Sequence, residues 1–451
     1  MRLFLVPSTL FAATCLLAAH VLLFAVIPGN AQEPVRASLA RSLTTQFDPN
    51  PENSLFRLGP VQGNLTAGVS LDYVDNAGVS NGGSTSLLRL SENLDMSLFW
   101  PVTASNQVYL TLGASYTENL VGNAGDRFTL TLAPDSKITW AIGIGDFRIR
   151  LFDAFAVTQD PTSDPSITNV VNLNRFRNNG GVAVDWDLNK LILTAQVDDT
   201  YTTQNARTFN QNGQDQSAVG ADGNRNTLRG SLQASFQLNP TTFFGPVFSA
   251  STSSASSATA VDALSPGLFL SAHLTRLTSL NLEAGLNFVS IQREPDVVRL
   301  QGPVHTPGST YYLRATALQT VNRYVNANLS ASHDLDYADG LNVTERTLFT
   351  LGASYRLTKA VTLSGNGYYE DGNVLSGINQ GRYNRFGVNA GFNYRIGPKL
   401  HATLAYRYTQ RNSDTGATEA IVADEDGFVT LQNHSGSYSQ NEVNLSLNYA
   451  F

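Results

Sequence analysis

The chain has 451 residues, of which 42 % are hydrophobic and only 14 % charged, and its formal charge is −7. A soluble domain carries about 25 % charged residues, and a bundle of membrane helices would lift the mean hydropathy well above −0.12. A single cysteine, Cys15, and six scattered histidines exclude a disulfide framework and a Cys- or His-built metal centre, and the acidic balance speaks against nucleic-acid binding.

The first element is a leader. Arg2 precedes an apolar run from Leu3 to Ile27, followed by Pro28-Gly29-Asn30-Ala31-Gln32. This predicts a secretory signal cut after Ala31. A spanning helix is the alternative, weakened by Pro7 and His20 within the run. Thr14 before Cys15 does not suit a lipoprotein signal. Cleavage removes Arg2 and no acid, leaving −8. Residues 32–55 are polar, contain three prolines and read as a periplasmic lead-in.

From residue 56 onward the pattern is period-two alternation, the mark of strands with one apolar and one polar face. Leu65, Ala67, Val69, Leu71 and Tyr73 share one face. Leu88, Leu90, Leu94, Met96 and Leu98 share the next, with Glu92 as its one exception. Leu228/Leu232/Ala234/Phe236, Leu280/Leu282/Ala284/Leu286 and Phe386/Val388/Ala390/Phe392 repeat the pattern. Many stretches run ten to fourteen residues, the length of a tilted membrane-crossing strand. Aromatics concentrate at their ends (Tyr73, Trp100, Tyr116, Tyr201, Tyr311, Tyr312, Tyr355, Tyr369, Tyr394, Tyr408, Tyr449), where interfacial girdles fall.

Connections alternate in length. Tight turns are expected at Pro101–Asn106, Pro134–Lys137, Asn189–Lys190, Asn239–Thr241, Thr275–Thr278, Asn322–Arg323, Thr358–Ala360 and Gly397–Lys399. Long polar loops separate them, at about 75–85, 119–126, 158–178, 202–225, 252–263, 291–309, 336–345, 371–381 and 410–437. Within 127–157, Gly145-Asp146 is either a bulge or the turn itself, in which case Pro134–Lys137 lies inside a strand. All four lysines (137, 190, 359, 399) sit in or beside the expected turns, which favours the bulge.

The last stretch, V-N-L-S-L-N-Y-A-F, alternates from Val443 and ends on Phe451. These features predict an all-β fold: a transmembrane antiparallel up-and-down barrel of about 18 strands, 16 being possible, with short periplasmic turns and long extracellular loops. The expected organisation is a signal peptide over 1–31, the lead-in over 32–55 and an outer-membrane barrel over 56–451.

F-R-L-G-P-V (Phe56–Val61), L-T-A-G-V-S-L-D-Y-V-D-N (Leu65–Asn76) and the terminal V-N-L-S-L-N-Y-A-F together resemble the porin-like barrels grouped as beta-barrel porin 2. The resemblance implies an outer-membrane channel, with polysaccharide export in some members. The closing strand resembles those read by the barrel-assembly machinery, with Phe451 as the terminal signal.

A lumen of this size passes solutes, so the expected function is passive diffusion of small hydrophilic molecules. Polysaccharide export and a closed surface scaffold or adhesin are the alternatives. Stacked aromatics along the inner wall would favour a sugar track, and the inner positions read as small or polar. In general porins the third external loop folds inward and sets acids against a basic ladder. Here Asp160 and Asp164 in 158–178, with Arg148, Arg150, Arg175 and Arg177, are the candidates for such a constriction. Arg89, Asp95, Asp185, Asp187, Asp198, Arg356, Arg395 and Arg407 are further lumen candidates, and their mixed signs predict no strong ion selectivity.

No enzymatic activity and no cofactor are expected. Asn433-His434-Ser435-Gly436 places His and Ser adjacent in a loop, not on a wall where a lipid hydrolase needs them. Asp424-Glu425-Asp426-Gly427 reads as a solvated acidic loop rather than a calcium site. Expected partners are outer-membrane lipid, the assembly machinery and the transported solute. No stripe marks an oligomer interface.

Overall fold

The structure is a computed structural model. It describes residues 56–77, 86–122, 128–133, 136–159, 172–209, 215–217, 223–256, 259–293, 304–336, 343–375, 381–413, 418–423, 429–434 and 437–451. The expected signal peptide and lead-in lie outside the described residues.

Eighteen antiparallel strands form the wall. They are β1 Val61–Val74, β2 Leu87–Pro101, β3 Asn106–Val121, β4 in two pieces (Phe128–Leu132 and Lys137–Ile144), β5 Phe147–Thr158 and β6 Asn172–Asp187. Next come β7 Leu191–Phe209, β8 Gly223–Asn239, β9 Thr242–Ala255, β10 Thr259–His273, β11 Thr278–Arg293 and β12 Val304–Thr320. The last six are β13 Val325–Asp336, β14 Thr344–Arg356, β15 Val361–Val374, β16 Gly381–Arg395, β17 Leu400–Ser413 and β18 Tyr438–Ala450. Each pairs with its sequence neighbour. The sheet closes where β18 meets β1, with Leu71 opposite Leu445 and Val69 opposite Leu447. Closure satisfies every edge, the condition for a sheet to stand in lipid. Short segments add to the wall: Phe56–Leu58 folds back on β1, and Asp215–Ser217 pairs with the end of β7. A separate hairpin joins Thr418–Ala423 to Val429–His434.

The turns follow from their residues. Asn322 Oδ1 accepts from the backbone N–H of Tyr324 (2.8 Å) and Val325 (3.0 Å), and Thr358 Oγ1 accepts from Ala360 (3.1 Å) and Val361 (3.0 Å). Such side-chain-capped turns are what Asn and Thr do best between strands. Asn189 takes the left-handed conformation at φ 73°.

Two expectations are corrected. The β4–β5 turn is Gly145-Asp146, where Gly145 supplies a φ of 57°. Of the turn expected at Pro134–Lys137, Pro134 and Asp135 lie outside the described residues, and Lys137 opens the second piece of β4. Leu132 pairs with Ala114 and Lys137 with Thr111, so residues 133–136 stand where β3 has only Leu112 and Gly113. This is a bulge of two extra residues, which keeps the in–out alternation. The Ser136 hydroxyl pins it, accepting from the Gly113 N–H (3.1 Å) and donating to the Gly113 carbonyl (3.3 Å). Lys137 is therefore not on the turn rim. The loops expected at 158–178, 252–263 and 291–309 are also shorter, because pairing runs up to Thr158 and Arg175, to Ser254 and Ala260, and to Arg293 and Val304.

The two faces of the wall separate by chemistry. Leu268 is 66 % exposed and Leu445 53 %, and similar exposed leucines recur on every side of the barrel. Such a surface is stable only in lipid. Trp100, Trp186, Tyr355, Tyr394 and Tyr449 are exposed beside the short turns. Tyr73, Tyr116, Tyr201, Tyr311 and Tyr369 are exposed toward the other end. These are the two girdles of a membrane-spanning barrel, and a closed antiparallel barrel of this construction is an outer-membrane protein. Tyr312 does not belong to them: its neighbours in β12 face out, and it is buried on the inner side.

Glu92 alternates with exposed Leu94 and stands in one row with Val69 and Tyr116, so it faces lipid near the outer girdle. E92L is expected to raise the urea midpoint of the barrel in lipid vesicles, by about 1 kcal/mol of stability. A lowered midpoint would mean that Glu92 is held by a partner.

Candidate functional site

The chemistry of the barrel lies on its inner wall. On β5 the outward residues are Phe147 and Leu151, so Arg148 and Arg150 point inward. On β6 Phe176 and Trp186 are exposed, so Arg175, Arg177, Asp185 and Asp187 point inward. Arg175 stands opposite Thr158, Arg177 opposite Ala156 and Lys137 opposite Ala154. Five cations thus mark five of the six inward levels of β5, from Arg148 beside the Gly145 turn to Arg175 at the far end, and the level of Phe152 carries none. Their span is about 33 Å along the strand at the usual rise per residue. The Lys137 ammonium lies 5.2 Å from the Phe152 ring, on the Arg150 side of its own row.

One acid holds the lower end of this ladder. Asp185 Oδ2 is 3.6 Å from Arg150 Nη2 and its Oδ1 accepts from Thr194 Oγ1 at 2.8 Å. At the upper end Arg175 donates through Nε (3.2 Å) and Nη2 (3.1 Å) to Gln204 Oε1. Asp198 also faces inward, accepting from Gln196 Nε2 at 2.8 Å.

The opposite wall is built differently. One register row runs from Glu283 through Arg314, Ser332, Leu348, Glu370, Arg385 and Arg411 to Tyr438. Its charges compensate one another. Arg314 pairs with Glu283 (3.3 Å) and Asp334, Arg346 with Asp336 (3.2 Å), and Arg385 with Glu370 (2.7 Å). Tyr383 Oη donates to Glu370 Oε1 at 2.6 Å. The Arg411 guanidinium lies 4.7 Å from the Tyr383 ring, and that of Arg385 lies 5.4 Å from the Tyr368 ring. Cations seated on aromatic faces gain from the ring quadrupole.

The inner wall therefore carries aromatics where small or polar residues were expected. Tyr312, Tyr368, Tyr383 and Tyr438 all face inward. The rings of Tyr312, Tyr368 and Tyr383 lie along the wall, however. A Cβ on Gly372 would come within 2.3 Å of Tyr383, and one on Gly387 within 2.3 Å of Tyr368. Tyr312, Tyr383 and Tyr438 are buried, so none of the three presents a free face.

The remaining candidates have these places. Arg89 and Asp95 line a polar recess of about 370 Å³ with Ser91, Asn93, Thr117 and Thr129. Arg407 pairs with Glu442 across β17 and β18. Arg356 and Arg395 face inward near the short-turn ends of β14 and β16. Asp160 and Asp164 lie outside the described residues. At the extracellular end, Leu335 and Val343 pack in one apolar cluster with Val261, Ala263, Val289 and Ile291 of β10 and β11. Val343 is fully buried there. Asp424–Gly427 and Ser435-Gly436 lie outside the described residues. Among the described residues, no group of three or more His, Cys, Asp and Glu could hold a metal ion.

Lys137, Glu283, Arg314, Arg346, Glu370, Arg385 and Arg411 were not among the sequence candidates. Their signal was nonetheless present: each is a charged residue at an inward step of an alternating strand.

No family model matches the chain, and no curated protein matches it. Solved outer-membrane barrels do. OpdK of Pseudomonas aeruginosa, solved with vanillate, is 10 % identical and covers 86 % of this chain and 99 % of its own, with a TM-score of 0.43. OccK2 (OpdF) of the same organism, solved with glucuronate, is 11 % identical and covers 86 % and 98 %, with a TM-score of 0.42. The ferric citrate transporter FecA, unliganded, is 9 % identical and covers 88 % and 79 %, with a TM-score of 0.43. At such distances the porin-like architecture rests on this chain's own strand ladder, closed over 18 strands.

Proposed function

We propose that the barrel is an outer-membrane channel for passive diffusion of small hydrophilic solutes, of the kind implied by the resemblance to beta-barrel porin 2. The observation that carries this reading is the basic ladder on β5, β6 and β4, which sets a cation at five of the six inward levels of β5. Barrels of about this strand number are wide enough for an aqueous path. Inward loops or the Arg–Tyr–Glu layer of the opposite wall would narrow that path and set its selectivity. A sugar-export track is less favoured, because Tyr312, Tyr383 and Tyr438 are buried in the wall.

The test is single-channel conductance of the refolded mature protein in a planar bilayer with KCl on both sides. Stable steps of nanosiemens order are the expected result. A folded protein that gives no steps would overturn the channel reading in favour of a closed surface barrel or dedicated export.

A further inference from the structure

We infer that the channel prefers anions, and that Lys137, Arg148 and Arg150 form its anion-binding station. This rests on the channel reading. The net charge of −7 points the other way, but among the described residues several of the acids do not face the lumen. Glu92, Asp153, Asp199 and Asp371 each alternate with exposed apolar residues (Leu94, Leu151, Val197 and Tyr369) and so face outward. They contribute to the chain's negative charge and are separated from the lumen by the wall.

Inside, the two walls differ. From β11 to β18 the guanidinium groups of Arg314, Arg346, Arg385 and Arg407 each have a carboxylate within ion-pair distance. Arg356, Arg395 and Arg411 also face inward there, so that side keeps a small positive excess, but its paired cations stand against acids. From β4 to β6 the sum is positive. Lys137, Arg148 and Arg150 share the lower half of the wall with Asp185, which also accepts from Thr194. Asp187 is the next acid, and its Oδ1 accepts from the backbone N–H of Asn189 in the turn at 2.8 Å. Lys137 is exposed to the lumen rather than packed away. A patch of one sign on a low-dielectric wall raises the local concentration of its counter-ion. The ligand chemistry is a small monovalent or divalent anion, chloride or an oxyanion, held by ammonium and guanidinium donors.

The β4–β5 hairpin makes this station. Its ladder runs without a shift from Ile144 opposite Phe147 to Lys137 opposite Ala154, which sets Lys137 on the inner face between the levels of Arg150 and Arg177.

The experiment is the reversal potential of wild-type channels under a tenfold KCl gradient. The expected value corresponds to a chloride-to-potassium permeability ratio of about three or more. The variant K137Q/R148Q/R150Q is expected to bring that ratio to about one or below, while E92Q, which removes an acid on the lipid-facing side, leaves it unchanged. Conductance with no preference, or with potassium preferred, would overturn the anion station and leave the channel standing. Folded protein with no conductance would overturn both. The wild-type measurement decides the matter even where the triple variant does not fold.

Discussion

Glu370→Gln is expected to lower the stability of the barrel by about 3–5 kcal/mol, the range for breaking a buried ion pair from one side. Glu370 is 1 % exposed. Its Oε1 accepts from Tyr383 Oη at 2.6 Å and its Oε2 from Arg385 Nη2 at 2.7 Å. Glutamine keeps the shape and one carbonyl acceptor but removes the charge. Arg385 then remains in a site where its side chain is only 11 % exposed, beside Arg411 in the same row. Two guanidinium groups would face each other without the acid that stood next to them. The cost of a buried charge left without its counter-charge exceeds the worth of the pair itself.

The measurement is the urea midpoint of the refolded protein in phospholipid vesicles. The double variant E370Q/R385M is expected to recover most of the loss, because an apolar side chain of similar length leaves no charge behind. A midpoint for E370Q equal to wild type would show that water reaches Arg385 and that the layer is open to the lumen.

Much of this architecture was legible from the strands themselves. The alternation of Leu65–Tyr73 and of Val443–Phe451 fixed which side of each strand meets lipid, and lipid permits only a closed sheet. Alternation also placed Arg148 and Arg150 on the inner face, whereas Arg175 and Arg177, expected near the end of the loop 158–178, belong to β6. What it could not place was the bulge at residues 133–136. Pro134 and Asp135 are turn residues by composition, and nothing local distinguishes a turn from an insertion of two that preserves the alternation. Lys137 was misplaced for that reason. The Arg–Tyr–Glu layer was hidden for another. Each member is an ordinary inward residue on its own strand, and only the register brings Glu370, Arg385 and Arg411 side by side. The same holds for Tyr312: its place is set by two glycines on other strands.

Gly285→Val is the second substitution with a large expected effect, a loss of about 3 kcal/mol at the upper end of the overpacking range. Gly267, Gly285 and Tyr312 form one row across β10, β11 and β12. The Tyr312 ring lies over both glycines, and the Arg314 guanidinium sits 5.5 Å from that ring. A Cβ at Gly285 would come within 2.5 Å of Tyr312 Cε1 and 2.2 Å of the Pro266 carbonyl oxygen. The ring can swing into the lumen, but the carbonyl belongs to the neighbouring ladder and can move only with its strand. G285V/Y312A is therefore expected to recover only part of the loss, since the backbone contact persists. Gly230 is the control: a Cβ there meets nothing within 4 Å, so G230A should leave the midpoint unchanged or raise it slightly by stiffening the unfolded chain. Urea midpoints of the three variants separate the contributions. Full recovery in the double variant would assign the whole cost to the ring, and G285V with a wild-type midpoint would mean that β10 and β11 are free to part at this level.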